Sequence, residues 1–151
     1  MSIATAMGGR VVGLASGRSA DLVRAPGASE FFDYSSAKAS DIGPADAVFD
    51  TVGTQLSSWR GILRRGGRMT TVAFPSPTAL ATIALSQVHG SRRIRAFAGE
   101  PPIGHLAALT DFVETHGVRS AIRETFPLEK IQQAHEAFAG RGIDGELVIT
   151  V

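Results

Sequence analysis

The chain has 151 residues, a length that suits one domain able to bury a core, and its formal net charge is +1. With 44% hydrophobic and 19% charged residues, the balance gives no reason to expect nucleic acid or an anionic membrane surface as a partner. The absence of cysteine removes disulfides, a catalytic thiol and cysteine-ligated zinc, and agrees with a reducing, cytoplasmic setting. The amino terminus has one early arginine and no apolar core long enough for a signal peptide. The longest apolar stretch, TALATIALSQV at 78–88, is roughly half of what a bilayer requires, so no membrane span is expected.

In chain order, Ser2 to Met7 reads as the last turns of a helix stopped by Gly8 and Gly9. The β-branched run RVVGLASG predicts a strand at 10–15 that ends in small polar residues. A short helix is expected over 20–24, ended by Pro26 and Gly27, then a strand at 31–34. Residues 35–44 read as a polar connection with a weak helical turn. A strand expected at 47–51 leads to a helix around 56–63, which carries the only tryptophan, Trp59. A paired-glycine turn introduces a strand at 68–73, and FPSP at 74–77 reads as a rigid loop. A helix over 79–89 and a strand at 93–97 follow. Leu106, Leu109, Phe112 and Val113 have the spacing of a helix over 104–116. Phe126–Leu128 leads to another helix over 129–139, with Ile131, Ala134, His135 and Phe138 on one face. Gly145 introduces the last strand, at 146–151.

Short apolar strands alternating with helices place the chain in the α/β class, as a Rossmann-like parallel sheet with helices on both faces. Ligands of such sheets bind at the carboxyl ends of the strands, where Ser, Gly and Thr cluster here. No G-x-G-x-x-G precedes the first strand, because only residues 1–9 lie before it. The expected sheet therefore lacks its first strand and its glycine-rich, phosphate-gripping loop. That strand is central in the order 3-2-1-4-5-6, so its loss exposes inner edges at 10–15 and 47–51. Their backbone groups need partners. Either the two edges pair directly, another polypeptide supplies the strand, or the chain folds poorly.

The run RVVGLASGRSADLVRAPGASEFFDYSSA, then AVFDTVG and LRRGGRMTTVA, resembles the cofactor domain of the medium-chain dehydrogenase/reductase superfamily. The zinc-free, NADPH-dependent quinone oxidoreductase-like branch is the most similar, and the ending FPLEKIQQAHEAFAGRGIDGELVITV is also of that type. The chain departs from the pattern at Pro26, Thr54, Arg65 and Glu146. The resemblance implies one partial dinucleotide-binding domain over 1–151 without the GroES-like catalytic domain. It further implies hydride transfer to a quinone, an enone or a related small-molecule acceptor. Without the helix amino terminus that holds the pyrophosphate, NADPH binding is expected to be weak or lost. The alternative is a non-catalytic remnant or interaction module with little nucleotide affinity.

Three segments are candidates for cofactor binding. Ser16, Gly17 and Arg18 follow the first strand, where an NAD-preferring fold has an acid for the ribose hydroxyls. Here Arg18 offers a guanidinium suited to a 2′-phosphate. The resemblance places Tyr34 over the same phosphate; the plainer reading makes Arg18 a solvated loop residue and Tyr34 a strand-end aromatic. At Thr51, Val52 and Gly53, a glycine permits close backbone approach and Val52 can pack on a ligand face, although a simple strand-to-helix turn needs the same residues. Asp50 before them reads as an acceptor of backbone amides rather than a base. Ala73 and Phe74 stand where the resemblance puts the nicotinamide, or in a merely proline-stiffened connection. No catalytic proton donor is assignable. His89 and His116 read as helix-end caps, and His135 as a packing residue. With His105 they are scattered, so no metal site and no zinc are expected. The strand at Arg93–Phe97 is expected at the outer edge of the sheet, where it would form a homodimer.

Overall fold

A computed structural model describes residues 2–97, 101–139 and 145–151. In chain order the elements are α1 (Ser2–Ala6), β1 (Val12–Ala15), α2 (Ala20–Arg24), β2 (Glu30–Asp33), α3 (Ala39–Ile42), β3 (Ala45–Asp50) and α4 (Leu56–Gly61). They continue with β4 (Leu63–Thr71), α5 (Pro77–Val88), β5 (Ile94–Ala96), α6 (His105–Thr115), β6 (Ile122–Pro127), α7 (Ile131–Ala139) and β7 (Glu146–Thr150). Single 3-10 turns at Gly17–Ser19 and Leu128–Lys130 precede α2 and α7.

Every strand pair is parallel, as the alternation of strands and helices requires. The strands nevertheless form three ladders rather than one sheet: β1–β2, β3–β4–β5 and β6–β7. Among the described residues β1 bonds only to β2 and β3 only to β4, so direct pairing of the two inner edges, one of the expected outcomes, is not seen there.

The chain divides into two compact units. The first comprises residues up to Ser36 together with Ile103–Val151. In it β1 and β2 run in register from Val12 opposite Glu30 to Ala15 opposite Asp33. Helix α2 lies against both strands and buries Val23, while the Arg24 guanidinium sits 5.5 Å from the centre of the Phe31 ring. An ion pair between Arg10 and Glu30 brackets the start of the ladder. In the same unit β6 and β7 pair from Ile122 to Pro127, and Phe126 on β6 and Ala134 on α7 are buried. The apolar faces read from the sequence are less covered than expected. None of the residues of α6 is buried, and on α7 Ala134 alone is, with Ile131, His135 and Phe138 exposed. Strand β6, Ile122–Pro127, was not among the expected elements, where Phe126–Leu128 simply led into a helix.

The second unit, Ala37–Pro102, holds the main described core. Leu56 from α4, Leu63 and Met69 from β4, Ala79 from α5 and Ile94 from β5 form one buried cluster. Val48, Trp59, Phe74 and Ile83 pack around it. Burial of each large side chain there stabilises the unit by roughly 1.5–3 kcal/mol. The paired glycines are not a turn before the strand, because β4 already starts at Leu63. Its register against β3 jumps from Ala45–Leu63 to Ala47–Arg68, so Arg64–Gly67 is an outward bulge inside the strand. Asp46 binds Arg64 across that bulge at 2.7 Å.

Candidate functional site

Parallel strands deliver their carboxyl ends to one edge of a ladder, and all the residues singled out from the sequence lie at such ends. They fall into two groups, one in each unit. In the first unit β1 runs into Ser16, Gly17 and Arg18, and β2 runs into Tyr34, whose amide donates to the Ala15 carbonyl at 3.1 Å. Ser16 and Ser19 share a hydroxyl hydrogen bond of 3.0 Å across the 3-10 turn. Arg18 and Tyr34 are both exposed, and among the described residues no carboxylate pairs with Arg18.

Asp33 was not foreseen at this corner, although it directly precedes Tyr34. Its carboxylate accepts the Ser35 amide at 2.8 Å, the Ser35 hydroxyl and the Gly17 amide. These donors, the Ser35 amide foremost, hold the carboxyl below its ordinary range. A side chain at Gly17 would put Cβ 2.6 Å from the Asp33 carboxylate, so this position has to stay bare for the acid to buttress the corner. The sequence does contain an acid near the expected ribose position. It comes from the neighbouring strand and is spent on backbone amides.

In the second unit Asp50 ends β3 and binds the turn that follows. Its carboxylate accepts from the Val52 amide at 3.3 Å and the Gly53 amide at 2.8 Å, bearing out its reading as an acceptor of backbone amides. The same Oδ2 lies 2.6 Å from the hydroxyl of Thr71, the fully buried last residue of β4. That hydroxyl is also 2.7 Å from the Ala73 carbonyl, so one proton is shared between two acceptors. Gly53 has φ +76°, and a Cβ there would stand 2.1 Å from the Ala73 oxygen and 2.6 Å from Pro75 Cδ. Glycine is thus demanded by the packing of the two strand ends, before any ligand is considered. Asp50 and Thr71 clasp the ends of β3 and β4, and the clasp holds Thr51 and Val52 outward, both exposed, with Ala73 and Phe74 half-buried beside it.

Beyond this clasp an open groove of about 320 Å³ runs between the 53–57 turn and the start of α5, lined by Gly53, Thr54, Ser57, Thr78 and Thr82. Its lining is rich in hydroxyls. Ser76 caps α5 by accepting the Ala79 amide at 3.2 Å. Gln55, on the same turn, is the only non-glycine described with positive φ, at 54°. Among the described residues no group of three or more His, Asp or Glu side chains could hold a metal ion. His116 caps its own helix through the Phe112 carbonyl at 2.9 Å and stacks on that ring at 4.0 Å.

The family model described as zinc-binding dehydrogenase matches residues 26–149. The chain belongs to that family. The resemblance to medium-chain dehydrogenases and reductases is therefore borne out. No curated protein matches the sequence. Among solved structures, the quinone oxidoreductase from Coxiella burnetii is 25% identical with a TM-score of 0.77, over 99% of this chain and 47% of that one. The quinone oxidoreductase from Thermus thermophilus, solved also in complex with NADPH, is 22% identical with a TM-score of 0.68, over 99% of this chain and 52% of that one. A putative alcohol dehydrogenase from Sinorhizobium meliloti 1021 is 23% identical with a TM-score of 0.75, over 99% and 43%. The chain spans about half the length of the structures it matches. The family's name implies zinc, and the donor set does not fit it: there is no cysteine, and the described residues bring no metal-binding group together.

Proposed function

We propose that the chain is the cofactor-binding portion of an NADPH-dependent oxidoreductase of the quinone or enone reductase type, acting without zinc. The observation that carries this reading is the clasp at the ends of β3 and β4, which presents Thr51 and Val52 as a rigid, exposed edge where such folds take their ligand. Membership of the dehydrogenase family supports it. Ala73 and Phe74, at the end of the adjacent strand, would face the nicotinamide. In the other unit Ser16, Gly17 and the exposed Arg18 guanidinium would receive the 2′-phosphate, and Tyr34 would lie over it. When bound, NADPH supplies a hydride for the acceptor. The chain's own part is to orient the cofactor; no described residue takes the role of proton donor. The GroES-like catalytic domain of the family has no counterpart in residues 1–151, so turnover would depend on a complement to them. Two copies would associate through the edge of β5, around Arg93–Phe97.

Calorimetry of the purified chain with NADPH and NADH tests the reading. Weak binding that favours NADPH is expected, and Arg18→Ala should remove the preference, a loss of about tenfold for one charge-assisted contact. Equal affinity for the two nucleotides in the native chain would overturn the NADPH assignment. No binding of either would favour the interaction-module alternative.

A further inference from the structure

The β1–β2 ladder ends with Ala15 opposite Asp33, and the Tyr34 amide closes it on the Ala15 carbonyl at 3.1 Å. Beyond that bond the chain leaves β1 through the 3-10 turn Gly17–Ser19. It leaves β2 through a turn in which the Ser36 amide donates to the Asp33 carbonyl at 3.2 Å. Arg18 lies on the first turn and Tyr34 begins the second. Turn geometry, rather than strand register, therefore sets the separation of these two side chains.

One side chain bridges the two turns. The Asp33 carboxylate accepts the Ser35 amide at 2.8 Å and the Ser35 hydroxyl from its own side, and the Gly17 amide from the other. Arg18 is one residue from one end of this bridge, and Tyr34 is one residue from the other. The Arg18 turn is closed on itself as well, by the Ser19 amide on the Ser16 carbonyl at 2.9 Å and by the Ser16–Ser19 hydroxyl bond. The bridge needs a bare Gly17, since a Cβ there would stand 2.6 Å from Asp33 Oδ2. An acid at such a strand end has two tasks open to it. With free lone pairs it accepts from ribose hydroxyls, and its charge repels a 2′-phosphate. With three donors already on it, the carboxylate is engaged and its charge is partly compensated. Asp33 is in the second condition.

We propose that Asp33 is a positioning residue: by bridging Gly17 and Ser35 it holds Arg18 and Tyr34 in one arrangement, and so sets the discrimination between a ribose with and without a 2′-phosphate. The inference rests on the NADPH reading above and deepens it. The carboxylate acts through the Arg18 turn and makes no contact with the nucleotide itself.

Hydrogen exchange of the nucleotide-free chain and calorimetry with NADPH and NADH test it, on the native chain, Asp33→Ala, Gly17→Ala and the double variant. In Asp33→Ala the Gly17 amide should exchange about tenfold faster. The Tyr34 amide should keep its protection, because the ladder is untouched. NADPH affinity should fall about tenfold while NADH affinity stays as it was. Gly17→Ala, which drives the carboxylate off, should do the same, and the double variant should lose no more than either single one. A merely structural role would weaken both nucleotides together or release the Tyr34 amide, and either result overturns the proposal. A larger loss for NADH would make Asp33 a ribose ligand, which overturns it too. A native chain without preference for NADPH overturns the reading on which the inference rests, whereas a preference that survives Asp33→Ala overturns the inference alone.

Discussion

Thr71 shows how one hydroxyl can organise a strand end. It is fully buried, and among the described residues its hydroxyl bonds to the Asp50 carboxylate and to the Ala73 backbone. Replacing it with valine keeps the volume but leaves Asp50 and the Ala73 carbonyl short of a donor. A loss of about 1–3 kcal/mol is expected, read as a lower denaturation midpoint with an unchanged slope. The same change should loosen the 51–53 turn. Asp33 makes a prediction of a different kind. Its folded-state carboxyl lies below the ordinary range, so it stabilises the fold at neutral pH. That contribution is lost only as the pH falls past the unfolded value and through the lower folded one. Asp33→Asn should therefore flatten the acid end of the stability–pH curve while leaving its neutral-to-basic shape intact. An unaltered acid slope in urea melts at pH 3 to 5 would show that Asp33 does not contribute in this way. The carboxylate could be read from the sequence as the acid just before Tyr34. Its bond to the Gly17 amide could not, because that amide lies in the turn after another strand.

At the level of elements, periodicity located most helices and strands to within a few residues but not what covers them. The spacing of Leu106, Leu109, Phe112 and Val113 does mark a helix, α6, yet the helix buries none of them. Strand β4 buries Met69 completely, and Ile94 beside it in the ladder is buried too. Met69→Ala should therefore destabilise by about 2–5 kcal/mol, and Leu106→Ala by no more than about 0.5 kcal/mol. Thermal unfolding followed by circular dichroism separates the two. Comparable losses at both positions would mean that α6 is packed as its sequence pattern first implied. The bulge at Arg64–Gly67 is the other element-scale surprise. Two adjacent glycines read equally as a turn before a strand or as a bulge within one, and only the pairing with β3 distinguishes them.

Taken as a whole molecule, the chain carries more exposed apolar side chains than its composition suggests. Phe49 and Val88 are each 78% exposed, and Phe97, Leu80 and Leu85 are also exposed. Single exposed apolar residues are ordinary, but here large ones recur along a strand and a helix of one unit. The native chain should bind an apolar dye such as anilinonaphthalene sulfonate, with fluorescence that rises before any loss of helical signal. No enhancement under native conditions would show that these side chains are covered in solution. The comparison structures are about twice as long as this chain.

By itself the sequence determined the α/β class, the parallel sense of the strands and the family. Each of these rests on local signals: apolar runs of strand length, glycine and proline stops, and the order of short motifs along the chain. Tertiary structure alone decided that β1 and β3 stay in separate ladders, that Asp33 buttresses Gly17, and that Asp50 and Thr71 clasp two strand ends. In every case the partners are neighbours across strands. Which backbone group a polar side chain satisfies is set by register and packing, and a linear pattern does not contain them.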